Sequence, residues 1–176
     1  MVNPNEFKDN EAHLYASFSV GGKGCINLDC SGFTPVSTDI PLGVASPKYS
    51  VKGGEVFGWN ISIDRHNDDG NWWLSILSDQ KHQIGYWPKG LFKNLAVVAN
   101  QVEFGGEMNN PGGAIPLPSM GNGYFPEYNT QTSACFVHAT VVDGSFNNVN
   151  SPDTEKFEDC NLRYTVLDGG FQDNPD

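Results

Sequence analysis

The order of apolar and polar positions reads as a series of short strands. Leu14, Ala16, Phe18 and Val20 alternate with polar or half-polar neighbours, a period of two that predicts a strand within residues 11–20. Phe57, Trp59, Ile61 and Ile63 repeat the pattern and would set four large side chains on one face. Asn67-Asp68-Asp69-Gly70 is a strong turn signal, and Trp72 to Leu77 follows it as a second strand, so a hairpin is expected. Residues 83–87 read as a third strand. The stretches 96–103, 133–142 and 161–167 complete the set. Residues 31–41 hold Phe33, Val36 and Ile40 among prolines, which fits a loop or an edge strand.

One helix is predicted, a short one begun by Pro88 with Leu91, Phe92 and Leu95 on one face. Gly21-Gly22-Lys23-Gly24 turns the chain into the segment from Cys25 to Cys30, which reads as a stapled turn. Residues 108–129 are rich in Gly, Pro and Asn, a long loop of the kind that carries function. The last residues, 168–176, are expected to fray. About eight strands, minimal helix and no repeat or linker predict one all-β domain over residues 1–176. The economical architecture is an antiparallel β-sandwich of two sheets.

Composition supports a packed core: 38% of the residues are hydrophobic and 12% aromatic, too apolar for a disordered chain. The net charge of −11 would repel a polyanion, which makes nucleic acid and acidic membrane surfaces poor partners. No apolar run reaches the length of a membrane span. The N-terminus shows no basic-then-apolar signal segment. The four cysteines nevertheless point to export. They lack CxxC spacing and a histidine in ligand register, which argues for disulfides over zinc or free thiols. Of three connectivities the local one is expected, Cys25 with Cys30 and Cys135 with Cys160. Disulfides in a chain without an export signal suggest that the sequence is incomplete at its start. The single glycosylation sequon, Asn60-Ile61-Ser62, falls in an expected strand, which disfavours its use.

No standard catalytic constellation can be assembled. His13, His66, His82 and His138 have no nucleophile motif beside them and read as ordinary surface or core residues. No HExxH, phosphate-binding loop or dinucleotide fingerprint occurs, and no cofactor or metal is expected. What remains is Gly105-Gly106-Glu107 after an apolar stretch. Two glycines let a backbone pass close to another group, and they set Glu107 at an expected strand end where a cleft can open. Alone, these residues favour a tight bulge with a solvated carboxylate.

Several ordered blocks change that reading. Gly70-Asn71-Trp72-Trp73-Leu74, then Ile84-Gly85-Tyr86-Trp87-Pro88 with Leu91-Phe92, then Phe104-Gly105-Gly106-Glu107, then the run from Met120 to Pro126 together resemble the signature of the plant neprosin domain family. The run from Gly24 to Phe33 resembles its cysteine loop, and Val2-Asn3-Pro4 its Val-x-Pro stretch. The resemblance runs from the first residues to about Asp143, with Cys160 completing the second bridge.

That resemblance implies a secreted glutamic endopeptidase: a β-sandwich with a cleft on its concave face, cutting peptide bonds after proline at acidic pH with two glutamates. Glu107 matches the glutamate of the family's Trp-Gly-Gly-Glu motif, with Phe104 in place of the Trp. The exchange keeps an aromatic wall and loses an N–H donor. The partner glutamate belongs to a Glu-x-Gly-Trp stretch just before Val-x-Pro, a position that falls before residue 1. Glu6 and Glu11 follow that landmark and read as surface charges. Residues 1–176 are therefore expected to be inactive, carrying one carboxylate where acid–base hydrolysis needs one group to take a proton and another to give one. Trp72, Trp73 and Tyr86, with Trp87, either line the substrate cleft or fill the core. Alternation sends Trp72 and Trp73 to opposite faces, so at most one of the two can line it. Gly105 and Gly106 would flank it. The expected partner is a peptide or protein, proline-rich in composition. The competing expectation is a non-catalytic β-sandwich that binds proline-rich peptide or cell-wall glycan.

Overall fold

A computed structural model describes residues 1–107, 121–150, 154–159 and 164–170. The chain divides into two units: residues 1–49 with 58–100, and residues 50–57 with 101–176. The class is all-β with antiparallel pairing throughout, as expected, and almost no helix. Among the described residues the ladders form three sheets, two of them single hairpins. No helix among them is long and apolar enough to cross a membrane.

The first unit opens with a four-residue helix, α1 (Pro4–Phe7), which the sequence reading did not include. Four residues are too few to show a period. Its signals are the cap and the proline: the Asn3 side chain accepts from the Asn5 N–H, and Pro4 needs no partner at the first turn. Beyond it, residues 12–14 run beside 43–46. Leu14 N–H donates to the Val44 carbonyl at 2.9 Å, and Gly43 N–H returns to Leu14 at 2.8 Å. A hairpin of β1 (Ser17–Val20) and β2 (Lys23–Ile26) follows. Cys25 and Cys30 are disulfide-bonded, as expected, and staple the turn after β2.

The principal sheet has the order β3-β6-β5-β4, from β3 (Thr34–Pro35), β4 (Ile61–Arg65), β5 (Trp72–Leu77) and β6 (Lys81–Trp87). The β4–β5 loop is the turn read from the sequence. Gly70 N–H donates to the His66 carbonyl at 3.0 Å, with Gly70 in the left-handed region that its missing side chain allows. Register then decides which side chains meet. Ile63 pairs Leu74 and Gly85 pairs Leu74 from the other side, while Asp64 pairs Trp73 and Tyr86 pairs Trp73 from the other side. One face of the sheet therefore carries Leu74, Ile76 and Trp87, with Ile84 at a bulge. These pack with Leu14, Ala16 and Phe33 as the core, and Trp72, Leu91 and Phe92 lie against it.

β3 is a short edge strand paired with β6, Thr34 opposite Tyr86 and Pro35 opposite Gly85. A β-carbon at Gly85 would stand 2.4 Å from the Thr34 carbonyl oxygen and 2.5 Å from the Phe33 ring. Backbone and a buried ring cannot both give way. Gly85→Ala is expected to cost ~1–3 kcal/mol, the overpacking range, whereas Gly90→Ala meets open space and should be far milder. Urea unfolding of the two variants side by side measures the difference.

Several expected elements differ. The strand expected over residues 57–63 is shifted to β4, because both the N–H and the carbonyl of Phe57 bond the Ser50 hydroxyl. The helix expected after Pro88 is a three-residue 3₁₀ turn, Lys89–Leu91, with Leu95 beyond it and exposed. No ladder forms over residues 96–103. There the carbonyls of Leu95 and Ala96 are occupied by the Trp72 indole N–H at 2.7 Å and the Arg65 Nε at 3.2 Å.

In the second unit, residues 50–57 close a turn, and Gly53 N–H reaches the Gln131 carbonyl at 2.9 Å. The strand expected over 133–142 shrinks to β7 (Thr140–Val142), which pairs with β8 (Asn148–Asn150). His138 has a left-handed backbone, which ends strand geometry before β7, and Ser133 is tied into a turn by Asn129. Residues 164–167 carry no strand, and 161–163 lie outside the described residues. Glu158 fastens that stretch by accepting from the Thr165 hydroxyl, the Val166 N–H at 2.5 Å and Lys156 at 2.9 Å. Those donors pull its carboxyl down to about 2. Cys135 is exposed and bonded to no cysteine among the described residues; Cys160, its expected partner, lies outside them, as do residues 108–120 of the long loop.

Candidate functional site

The residues singled out by sequence fall into both units. Trp72, Trp73 and Tyr86 belong to the first; Gly105, Gly106 and Glu107 belong to the second. Within the first unit the parity argument holds. Trp72 lies on the core face beside its cross-strand partner Trp87, and its indole N–H is spent on Leu95. Trp87 is buried, with its ring edge-on to Phe33 at 4.8 Å. Both side chains are engaged on the core face.

Trp73 and Tyr86 are paired on the opposite, polar face, with ring centroids 4.7 Å apart. His66 stacks on Trp73 at 5.2 Å. Trp73 stands on β5 between Tyr86 on β6 and His66 just past the end of β4, so three rings form a row. Polar groups fix this row. Trp73 Nε1 donates to Asp69 at 3.1 Å, and His66 Nε2 lies 3.2 Å from Asp64. Asp64 also takes the Ser62 hydroxyl and Lys81 at 3.0 Å. Burial pushes the Asp64 carboxyl up, but the Ser62 and Lys81 hydrogen bonds and the charges of Lys81 and His66 outweigh it, so it titrates below 3.8. Asp69 shows the same balance, burial opposed by the Asn71 and Trp73 donors. Ser75 is wholly buried on this face, and its hydroxyl has no partner among the described residues.

Sequence reasoning did not find this row, since it took His66 as ordinary. The available signal was the turn itself. Once residues 67–70 close the hairpin, Asp64 must pair with Trp73, and His66 comes to the same face two residues on.

Glu107 is exposed at the end of the irregular stretch 101–107, and no hydrogen bond or ion pair engages its carboxylate among the described residues. It does not follow a strand, as expected from sequence, because the preceding apolar stretch forms no ladder. Nor does Gly105 serve a close approach: a β-carbon there would meet open space. Phe104, the residue at the motif's Trp position, is half exposed and lies 6.1 Å from Phe136, ring to ring. Among the described residues, then, the carboxylate holds no element in place.

A second ionisable cluster surrounds His13, whose side chain is 7% exposed. Its Nδ1 faces the Gly43 carbonyl at 2.8 Å and its Nε2 faces Asp9 at 2.8 Å, while Phe7 stacks on the ring at 4.0 Å. Two acceptors, one at each nitrogen, select the imidazolium, which alone donates from both. The Gly43 carbonyl and then Asp9 hold His13 above its ordinary 6.5, against burial and, less, the amino terminus of Met1. The His13 hydrogen bond, then the Glu11 N–H, holds Asp9 below 3.8.

The signs follow directly. A raised histidine contributes stability that is complete below pH 6.5 and lost as pH rises through its folded value. A lowered aspartate contributes above pH 3.8 and loses it as pH falls through its folded value. The pair should therefore stabilise the first unit most in mildly acidic solution. Urea midpoints measured across pH should fall from pH 5–6 toward pH 8–9 (a window set by ordinary histidine and aspartate values), and His13→Gln should flatten that slope.

The family model described as Neprosin matches residues 1–175 of the chain.

Proposed function

This chain belongs to the neprosin family, and on that premise we propose that it is a secreted, peptidase-like domain using Glu107 as one half of a two-glutamate acid–base pair. What supports the proposal is the family match over residues 1–175 together with Gly105-Gly106-Glu107, which resembles the family's Gly-Gly-Glu motif and whose carboxylate has no partner among the described residues. A buried or salt-bridged glutamate at that position would read as architecture. An exposed one with no partner among the described residues does not.

The chemistry assigned to it is general. One carboxylate takes a proton from water as it attacks the peptide carbonyl, and the other gives a proton to the leaving amine. Two neighbouring carboxyls part their pKa values and share one proton in acid. The Glu-x-Gly-Trp stretch that holds the other family glutamate is not among residues 1–176. These residues alone are therefore proposed to bind substrate without turning it over. Proline preference enters from the family. The His66–Trp73–Tyr86 row, rigid and rimmed by Asp64, Asp69 and Lys81, is chemically suited to an apolar ring on a polar backbone. The Cys25–Cys30 bridge is consistent with an extracellular location.

The test is an incubation of residues 1–176 with proline-containing peptides at about pH 3 to 5, near ordinary carboxylate values, beside a version preceded by a Glu-x-Gly-Trp segment. Cleavage mapped by mass spectrometry is expected only in the second. Robust hydrolysis by residues 1–176 alone would overturn the need for two glutamates. Binding without turnover in both would favour the non-catalytic module.

A further inference from the structure

We propose that Asn60 carries an N-linked glycan when the chain passes through a secretory pathway, and that this glycan guards the open edge of the principal sheet. The inference rests on the extracellular reading above but not on catalysis. Asn60-Ile61-Ser62 is the only glycosylation sequon in the chain. A sequon inside a sheet, flanked by strands on both sides, would have no room for a sugar. In the structure Asn60 immediately precedes β4, the last strand in the order β3-β6-β5-β4. Its carbonyl is anchored by the Leu77 N–H at 2.8 Å, and the residue itself is exposed. The backbone is fixed while the side-chain amide faces solvent.

The same edge has a need for cover. β4 pairs with β5 on one side only among the described residues, which leaves a strand edge open to another chain. Beside it stand Trp59 at 42% exposed, Ile61 at 46% and Ile63 at 57%. Ile61 and Ile63 sit opposite Ile76 and Leu74, so they continue the core face out to the rim. An unpaired apolar edge of this kind is an aggregation hazard, usually blunted by charge, proline or a bulge. The other edge has its proline, Pro35 in β3. β4 has none along Ile61–Arg65, and its Asp64 is spent on Ser62, His66 and Lys81 across the polar face. A bulky hydrated sugar at the first rung would prevent a further strand from docking.

The bond-making step is standard glycosyl transfer. Asn60 Nδ2 bonds to the anomeric carbon of a lipid-pyrophosphate-linked oligosaccharide supplied by the host. The bond from that carbon to the pyrophosphate oxygen breaks, lipid pyrophosphate leaves with the electron pair, and an amide proton passes to the host transferase.

The test uses the whole chain secreted from eukaryotic cells. Peptide-N-glycosidase in heavy-oxygen water should remove the mass of one glycan and leave the isotope tag at residue 60. Asn60→Gln and Ser62→Ala should both lack the glycan, and Ser62→Thr should keep it. Stripping the sugar from the folded protein with an endoglycosidase, with no substitution made, should shift light scattering from monomer toward larger species at unchanged concentration. An unmodified Asn60 in secreted chain whose Cys25–Cys30 bridge has formed would overturn the site. A glycan whose removal leaves the scattering unchanged would overturn the guarding role.

Discussion

Replacing Glu107 by Gln is expected to lower peptide hydrolysis ~10²- to 10⁴-fold in a form of the chain that carries both family glutamates, the range for a positioned acid or base. The same substitution should leave the urea midpoint almost unmoved. Glu107 is exposed and its carboxylate engages no partner among the described residues, and substitutions at such positions ordinarily stay within about ±0.5 kcal/mol. The dissociation of the two effects is the informative part. A structural glutamate would lose stability along with activity. Gln keeps the shape and the acceptor oxygen but can neither bind nor release a proton at acidic pH. A loss seen in kcat with KM little changed would place the effect on the chemical step.

Trp87→Ala should have the largest effect on stability, ~3–5 kcal/mol, as for other large aromatic truncations in cores. Trp87 is 5% exposed, stands edge-on to Phe33 and belongs to the same buried cluster as Ile84 and Leu14. Nothing behind it can collapse easily, since β3 is already drawn tight against β6 at Gly85. Trp87→Phe should be much milder, under ~2 kcal/mol. The indole N–H of Trp87 is buried without a partner among the described residues, so removing it relieves an unmet desolvation cost while the ring contact with Phe33 survives. The ordering Trp87→Ala far below Trp87→Phe in thermal or urea unfolding checks both halves of this account.

The β4–β5–β6 meander was the legible part of the fold. Its turn residues fix the hairpin register, and alternation along the strand then divides Trp72 from Trp73. Residues 96–103 show why alternation alone is insufficient. Val97, Val98 and Val102 look like a strand, yet a ladder needs a partner, and side chains of Trp72 and Arg65 take the neighbouring carbonyls instead. The exposed rim of β4 was hidden for a related reason: periodicity says which residues share a face, not whether anything covers it. Glu107 is singled out only by the resemblance of the ordered blocks to the family, because an exposed carboxylate after two glycines leaves no periodic trace. The His66–Trp73–Tyr86 row needed register across three strands, which no single segment encodes.

The central assignment is most directly tested by the pH dependence of kcat/KM in a form of the chain bearing both glutamates. Two carboxyls that share a proton give a bell with both limbs in acid, within roughly pH 2 to 6 around ordinary carboxylate values. With Glu107→Gln, the residual rate is expected to lose one limb and titrate as a single group. A bell that persists unchanged in that variant would contradict a catalytic role for Glu107.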